Sequence, residues 1–192
     1  MFSIYNEYQA IITSTARDIQ FPAALCSIAE QVYFSIQDRG WAGDDDSGIV
    51  RIWTSGAVAS LQSVSTAEDD GAKLEMVVDL LVGIHLVAAA EAISLAEQVG
   101  IPLAQLYKLT CDAAGSSAVF RDLGGKLIQI MAGHAEDRGD VVKEITQRLQ
   151  RVIDEAQAIR CPLYLGSGAL NLLHQVGHSP DLASLLNQYL VL

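Results

Sequence analysis

A chain of 192 residues, 51% of them apolar and 18% charged, can close one sizeable core and is too apolar for a disordered or fibrous protein. Its 23 acidic and 12 basic residues give a formal charge of −11, which repels phosphate backbones and anionic lipid heads, so nucleic acid is not expected as a partner. The chain opens with no basic region leading into an apolar stretch, and its most apolar segment, Leu80 to Ala96, contains His85 and Glu91, so no membrane association and a cytoplasmic location are expected.

In chain order, helices are predicted from Tyr5 to Ile19 and from Pro22 to Gln37, then a loop from Gly40 to Asp46 and a short helix ending at Trp53. The strongest periodic segment runs from Thr66 to Val99, with Met76, Leu80, Ile84, Val87, Ile93 and Leu95 recurring among alanines. Ser65 and Glu68 form a capping box before it, and Gly100 and Pro102 stop it, giving a helix of roughly 30 residues and about 45 Å. Small residues from Ala88 to Ala96 suit it to be a central rod around which other helices pack. Further helices are expected at Leu103 to Ala113, at Ser117 to Ala132 with a weak point at Gly124-Gly125, at Asp140 to Ile159, beyond Pro162 to Val176, and from Asp181 onward. No stretch alternates at period two, so the fold is expected to be all-α.

An internal repeat accompanies this order. Ala16 to Ala29 laid over Ala156 to Ala169 matches Ala16, Ile19, Pro22, Leu25, Ser27 and Ala29 with identical residues. Asp45, Ile49, Val50 and Trp53 then fall against Asp181, Leu185, Leu186 and Tyr189. A duplicated three-helix unit is expected, with residues 1–53 as one copy, 54–65 as a connector, and 66–192 as the long helix plus the second copy, all packed as one domain.

No nucleotide loop, metal motif or nucleophile elbow is present, and Cys26, Cys111 and Cys161 are too widely spaced for a disulfide framework or a zinc site. His174 and His178 have no third ligand near them, so no metal is expected.

The run Gly71-Ala72-Lys73-Leu74-Glu75-Met76-Val77-Val78-Asp79-Leu80-Leu81-Val82-Gly83-Ile84-His85-Leu86-Val87-Ala88-Ala89-Ala90-Glu91-Ala92 resembles the interdomain helix of the β-hydroxyacid dehydrogenases, the group containing 3-hydroxyisobutyrate dehydrogenase. Asp112 to Phe120 resembles the turn that follows it, and Ile153 to Ala156 with Cys161-Pro162-Leu163 resembles the C-terminal part. Thr13 to Asp18, Phe21-Pro22 and Gly43 to Ser47 resemble a second copy of that part. The resemblance implies a helical domain built around one long helix, association into a homodimer, and a ligand site at the start of that helix.

Departures from the family pattern are chemical. The family's nucleotide domain opens with G-x-G-x-x-G after a strand, which lets the backbone approach a pyrophosphate. Neither is present here. The catalytic lysine implied on the long helix is replaced by Glu75, with Lys73 two positions off on another face, and the amide one turn on by Asp79. The cofactor-facing lysine becomes Gln147, and Glu7 in the upstream copy. Hydride transfer and binding of NAD or NADP are therefore not expected, and no cofactor is.

Glu75 and Asp79 lie four apart on one helical face, where they form either a solvated pair or, facing a pocket, a general acid or base. His85 is either a core histidine or a proton carrier. Asp112, Ser116 and Ser117 flank Gly115 as ligand contacts or helix caps. Aromatic residues concentrate in the first quarter, and Tyr5, Tyr8, Tyr33 and Phe34 would wall an apolar pocket against the long helix. The function expected is a non-redox helical protein that binds a small apolar molecule, with cofactor-independent isomerisation or cyclisation as its chemistry. The alternatives are a non-catalytic dimerisation or scaffold domain, or a fragment of a larger dehydrogenase, against which the initial Met1 weighs.

Overall fold

The computed structural model describes residues 2–41, 43–53, 70–135, 139–177 and 180–190, with side chains undescribed at 2–6, 46–47 and 70. The expected connector 54–65 and the capping box of Ser65 and Glu68 lie outside the described residues. Eight α-helices appear among the described residues: α1 (Phe2–Asp18), α2 (Ala24–Asp38), α3 (Asp70–Gln98), α4 (Leu103–Asp112), α5 (Ala118–Met131), α6 (Val141–Ala158), α7 (Tyr164–Gln175) and α8 (Leu182–Leu190). A 3₁₀ segment, Asp46–Ile52, lies between α2 and α3. No strand occurs among the described residues, and the protein is all-α.

Helix α3 is the rod on which the domain is built. It packs against α2, α4, α5, α6, α7 and α8, and Leu86, Val87, Ala89, Ala90 and Ile93 in its second half are buried. Burying each of the large ones contributes about 1.5–3 kcal/mol. By length and hydropathy Gly71–Gln98 could cross a membrane, and this packing accounts for the apolar composition of its second half. Helix α6 follows the amphipathic rule, burying Val142, Ile145, Leu149, Val152, Ile153 and Ala156 on one face. It comes close to α3 because Gly83 has no side chain; a Cβ there would lie 2.7 Å from Leu149 Cδ2. Helix α5 runs unbroken through Gly124 and Gly125, the expected weak point, because the rings of Phe120 and Tyr107 pack over those two residues.

The two Pro-containing breaks are built alike. At each, a non-glycine residue takes positive φ, Gln20 at 58° and Arg160 at 58°. At each, the next residue's N–H reaches back five residues, from Phe21 to Ala16 O at 2.7 Å and from Cys161 to Ala156 O at 2.8 Å. This is the Schellman closure that Gly40, Gly100 and Gly133 make at the ends of α2, α3 and α5. The Phe21 ring stacks on Tyr189 of α8 with centroids 5.6 Å apart, while Trp53 donates from Nε1 to Pro162 O at 2.6 Å. Each break is thus covered by the residue that the sequence alignment sets in the other copy.

Candidate functional site

The polar residues singled out from the sequence do not converge. Glu75 is exposed near the start of α3. Asp79, one turn on, faces Arg148 of α6 with Oδ1 3.8 Å from Nη1, a long and partly solvated contact that contributes little. His85 is half-buried, and burial holds its pKa below the ordinary 6.5. Asp112 is exposed at the end of α4. Ser117 caps α5, its Oγ accepting from Phe120 N–H at 3.0 Å, and Ser116 Oγ accepts from Arg121 Nη1 at 2.8 Å. The α4–α5 turn therefore uses these hydroxyls to hold itself. Tyr8 and Phe34 are exposed, Tyr33 is half-buried, and the side chain of Tyr5 lies outside the described residues, as does His178.

An apolar trough lies instead between α1 and α2 on one side and α3 on the other. One lobe, about 460 Å³, is walled by Ile11, Ile12, Ile84, Ala88, Leu95 and Val99. Alanines at 88, 92 and 96 keep the α3 wall low, so the trough extends along the helix. A second lobe of about 520 Å³ is walled by Tyr33, Ile49, Trp53, Leu80 and Tyr164. Gln9, Ala29, Ile84 and Leu165 border both lobes and form the waist between them. Among the expected aromatics whose side chains are described, Tyr33 thus lines a pocket. None of Glu75, Asp79, His85, Asp112, Ser116 and Ser117 is part of these walls.

The buried carboxylate on the trough wall is held by hydrogen bonds. Glu91, 2% exposed within the alanine-rich part of α3, accepts from Leu25 N–H and Cys26 N–H, each at 2.9 Å, one per carboxylate oxygen. Those two N–H groups belong to the first turn of α2, which no side chain of its own caps, and the helix dipole there favours a carboxylate. Cys26 sits against this carboxylate, and burial with the Glu91 charge pushes its thiol up to about 12. Burial likewise raises Tyr189, with Glu91 and Cys26 adding to the effect. Deeper in the α1–α2 pair, Glu30 accepts from Thr13 Oγ1 at 2.6 Å and from Arg17 Nη2 at 3.0 Å.

Gln9 behaves differently. Its Oε1 is closed off from solvent and has no hydrogen-bond partner among the described residues. A buried acceptor left in this state costs about 1–3 kcal/mol. Sequence reading did not single out Gln9, since one glutamine in an amphipathic helix carries no signal. Glu91 did carry one, as a carboxylate inside an apolar run.

A third cleft, about 510 Å³, lies on the outer face of α6 and α7, lined by Glu144, Gln147, Arg148, Arg151 and His174. It contains the position at which the family resemblance implies a cofactor-facing lysine, occupied here by the neutral Gln147. Among the described residues, no group of three histidine, cysteine, aspartate or glutamate side chains is placed to hold a metal.

Comparison with known proteins fixes the ancestry. The sequence profile described as the NAD-binding part of NADP-dependent 3-hydroxyisobutyrate dehydrogenase matches residues 70–188. L-threonate dehydrogenase of Escherichia coli K12 is 34% identical over 102 residues, 53% of this chain and 32% of that enzyme. The Haemophilus influenzae L-threonate dehydrogenase is 31% identical over 109 residues, 57% of this chain and 35% of that enzyme. The crystal structure of 3-hydroxyisobutyrate dehydrogenase from Salmonella typhimurium superposes with a TM-score of 0.53 at 32% identity, covering 62% of this chain and 42% of that one. This chain spans about a third of the length of the curated relatives it matches. It belongs to the 3-hydroxyisobutyrate dehydrogenase family and corresponds to that family's C-terminal helical domain.

Proposed function

We propose that this chain is a non-redox helical domain of the dehydrogenase family that holds a small apolar molecule in the trough between α1, α2 and α3. The observation that carries this reading is the trough itself, two adjoining apolar lobes whose one buried carboxylate, Glu91, is already satisfied by backbone N–H groups. Such a site binds by burying apolar surface, at about 25 cal/mol per Å².

The dinucleotide implied by the family does not fit the residues present. Among the described residues there is no strand and no glycine loop to approach a pyrophosphate. Glu75 and Gln147 stand where the resemblance implies lysines, so an exposed carboxylate and a neutral amide replace two positive charges. Cofactor-independent isomerisation or cyclisation draws no support from the geometry either, since Glu75, Asp79 and His85 line neither lobe.

Fluorescence titration with N-phenyl-1-naphthylamine, a neutral apolar dye that brightens in apolar surroundings, tests the reading. Saturable one-to-one binding is expected, with loss of at least tenfold in affinity for Ala92→Phe, which fills the trough from an exposed helical position. Absence of saturable binding, or unchanged binding by a folded Ala92→Phe variant, would remove the proposal.

A further inference from the structure

We infer that the cleft at the second Pro-containing break is a site for a small neutral aromatic molecule, whose ring takes there the place that the ring of Phe21 fills at the first break. This goes beyond the trough and comes from the internal repeat. Laying 16–29 over 156–169 sets Ile28 against Gly168. These two residues meet where α2 packs on α7, so closely that a Cβ at Gly168 would collide with Ile28 Cδ1. Residues holding the same place in the two copies are thus in contact, as residues on a two-fold axis are. The two breaks lie about that axis as mates, and what fills one can be compared with what fills the other.

At the first break Phe21 is buried and its ring is stacked on Tyr189 with the planes 15° apart; Ala16 and Ala23 are buried with it. At the second break the same alignment sets Cys161 against Phe21 and Leu163 against Ala23, and both are only half-buried. The preceding positive φ and the five-residue hydrogen bond are the same in both breaks, so Cys161 holds the position that Phe21 holds in its mate. A thiol replaces a phenyl ring. Among the described residues a cleft of about 500 Å³ is left there, lined by Ile28, Ile153, Ala156, Cys161, Tyr164 and Gly168. Trp53, the counterpart of Tyr189, has no ring at 161 to stack on; its own ring meets Tyr164 at 6.2 Å. A ring entering beside Tyr164 extends that aromatic contact, which favours a planar ring over an aliphatic one. No charged side chain lines the cleft, so an ion would lose its hydration without gaining a partner. Gln157, Ser167 and Asn171 on the same wall give a hydroxyl on the ring polar groups to meet. A small phenol has this chemistry.

Titration of the full chain with 4-fluorophenol, followed by fluorine NMR, tests the site. Saturable binding is expected, and Cys161→Phe, which supplies the missing ring from the chain itself, is expected to weaken it at least tenfold, equivalent to about 1.4 kcal/mol. The same variant is expected to bind N-phenyl-1-naphthylamine within about twofold of the wild type, since Cys161 is not part of the trough walls. 4,4-Difluorocyclohexanol, similar in size but without an aromatic face, is expected to bind the wild type at least fivefold more weakly than the phenol. Circular dichroism of Cys161→Phe checks that its helices are retained; if they are not, Asn171→Trp, at an exposed position of α7 on the cleft wall, is expected to give the same loss. Absence of saturable phenol binding, or binding undiminished in whichever of these variants is folded, would overturn the site. An equal loss of the naphthylamine in the variant would overturn it as well, by placing both ligands in the trough. Equal affinity for the cyclohexanol would overturn the aromatic class of its ligand.

Discussion

The carboxylate of Glu91 in the middle of α3 accepts the N–H groups of Leu25 and Cys26 at 2.9 Å each, so the central helix supplies the cap that the first turn of α2 lacks. The contact joins residues 66 and 65 positions apart and fixes where α2, and with it one bank of the trough, sits on α3. Replacing Glu91 by Ala leaves two buried backbone donors unpaired and is expected to cost about 3 kcal/mol. Gln retains one acceptor and is expected to cost about 1 kcal/mol. Urea denaturation of the two variants checks the order; equal stability of wild type and Glu91→Ala would show that the cap is made by other groups.

Cys26 is the second reporter of the same contact. With its pKa at about 12, only about one thiol in ten thousand is ionised at pH 8, and the thiolate is the form that reacts. Iodoacetamide labelling of the native chain at pH 8, followed by mass spectrometry, is expected to modify Cys26 far more slowly than Cys111 and Cys161. In denaturant the three rates are expected to converge. Glu91→Gln removes one of the causes that hold the thiol up and is expected to speed the labelling of native Cys26.

His85 gives the fold a pH dependence of known sign. Its folded pKa lies below the unfolded value near 6.5, so the unfolded chain takes up the proton first as pH falls. The stability that depends on neutral His85 is complete above pH 6.5 and is lost as pH falls through the lowered folded value. Denaturant midpoints measured from pH 8 to pH 5 are expected to fall with acidification, and His85→Gln is expected to flatten the part of that slope just below pH 6.5. An unchanged slope in the variant would place the proton uptake elsewhere.

The first half of α3 carries an apolar ridge of Leu74, Val77, Val78 and Leu81, 66%, 51%, 50% and 45% exposed. With spacings of three and four residues these side chains form one stripe, which we propose pairs with a second copy of the chain. Sedimentation at micromolar concentration is expected to give twice the chain mass, and Val77→Glu with Leu81→Glu to reduce it. A mass near 20.6 kDa for the wild-type chain would remove the dimer.

Much of the architecture was legible because its signals are local. Gly40 and Gly100 take the positive φ that ends α2 and α3, and Pro22 and Pro162 mark the breaks after α1 and α6. Gln20 and Arg160 take the same conformation without being glycine, so nothing at those positions alone announced it. What was not legible depends on how helices far apart in sequence meet. Glu75 and Asp79 were expected at a pocket through the family resemblance, yet the trough lies farther along α3, from Leu80 to Val99, where α1 and α2 flank it. Ser117 could have been a ligand contact or a cap on sequence alone, and its Oγ is spent on Phe120 N–H. Tyr8 and Phe34 sit on helices expected to wall the pocket but face outward, because the buried positions of those helices are taken by Thr13 and Ala16 on α1 and by Leu25, Glu30 and Ile36 on α2.

The central claim, an apolar ligand site in place of dinucleotide chemistry, is tested most directly by calorimetric titration of one preparation with NADP, NAD and N-phenyl-1-naphthylamine in turn. Saturable heat is expected from the amine alone. Saturable binding of either dinucleotide tighter than roughly 100 μM, about 5.5 kcal/mol, together with no heat from the amine, would contradict it.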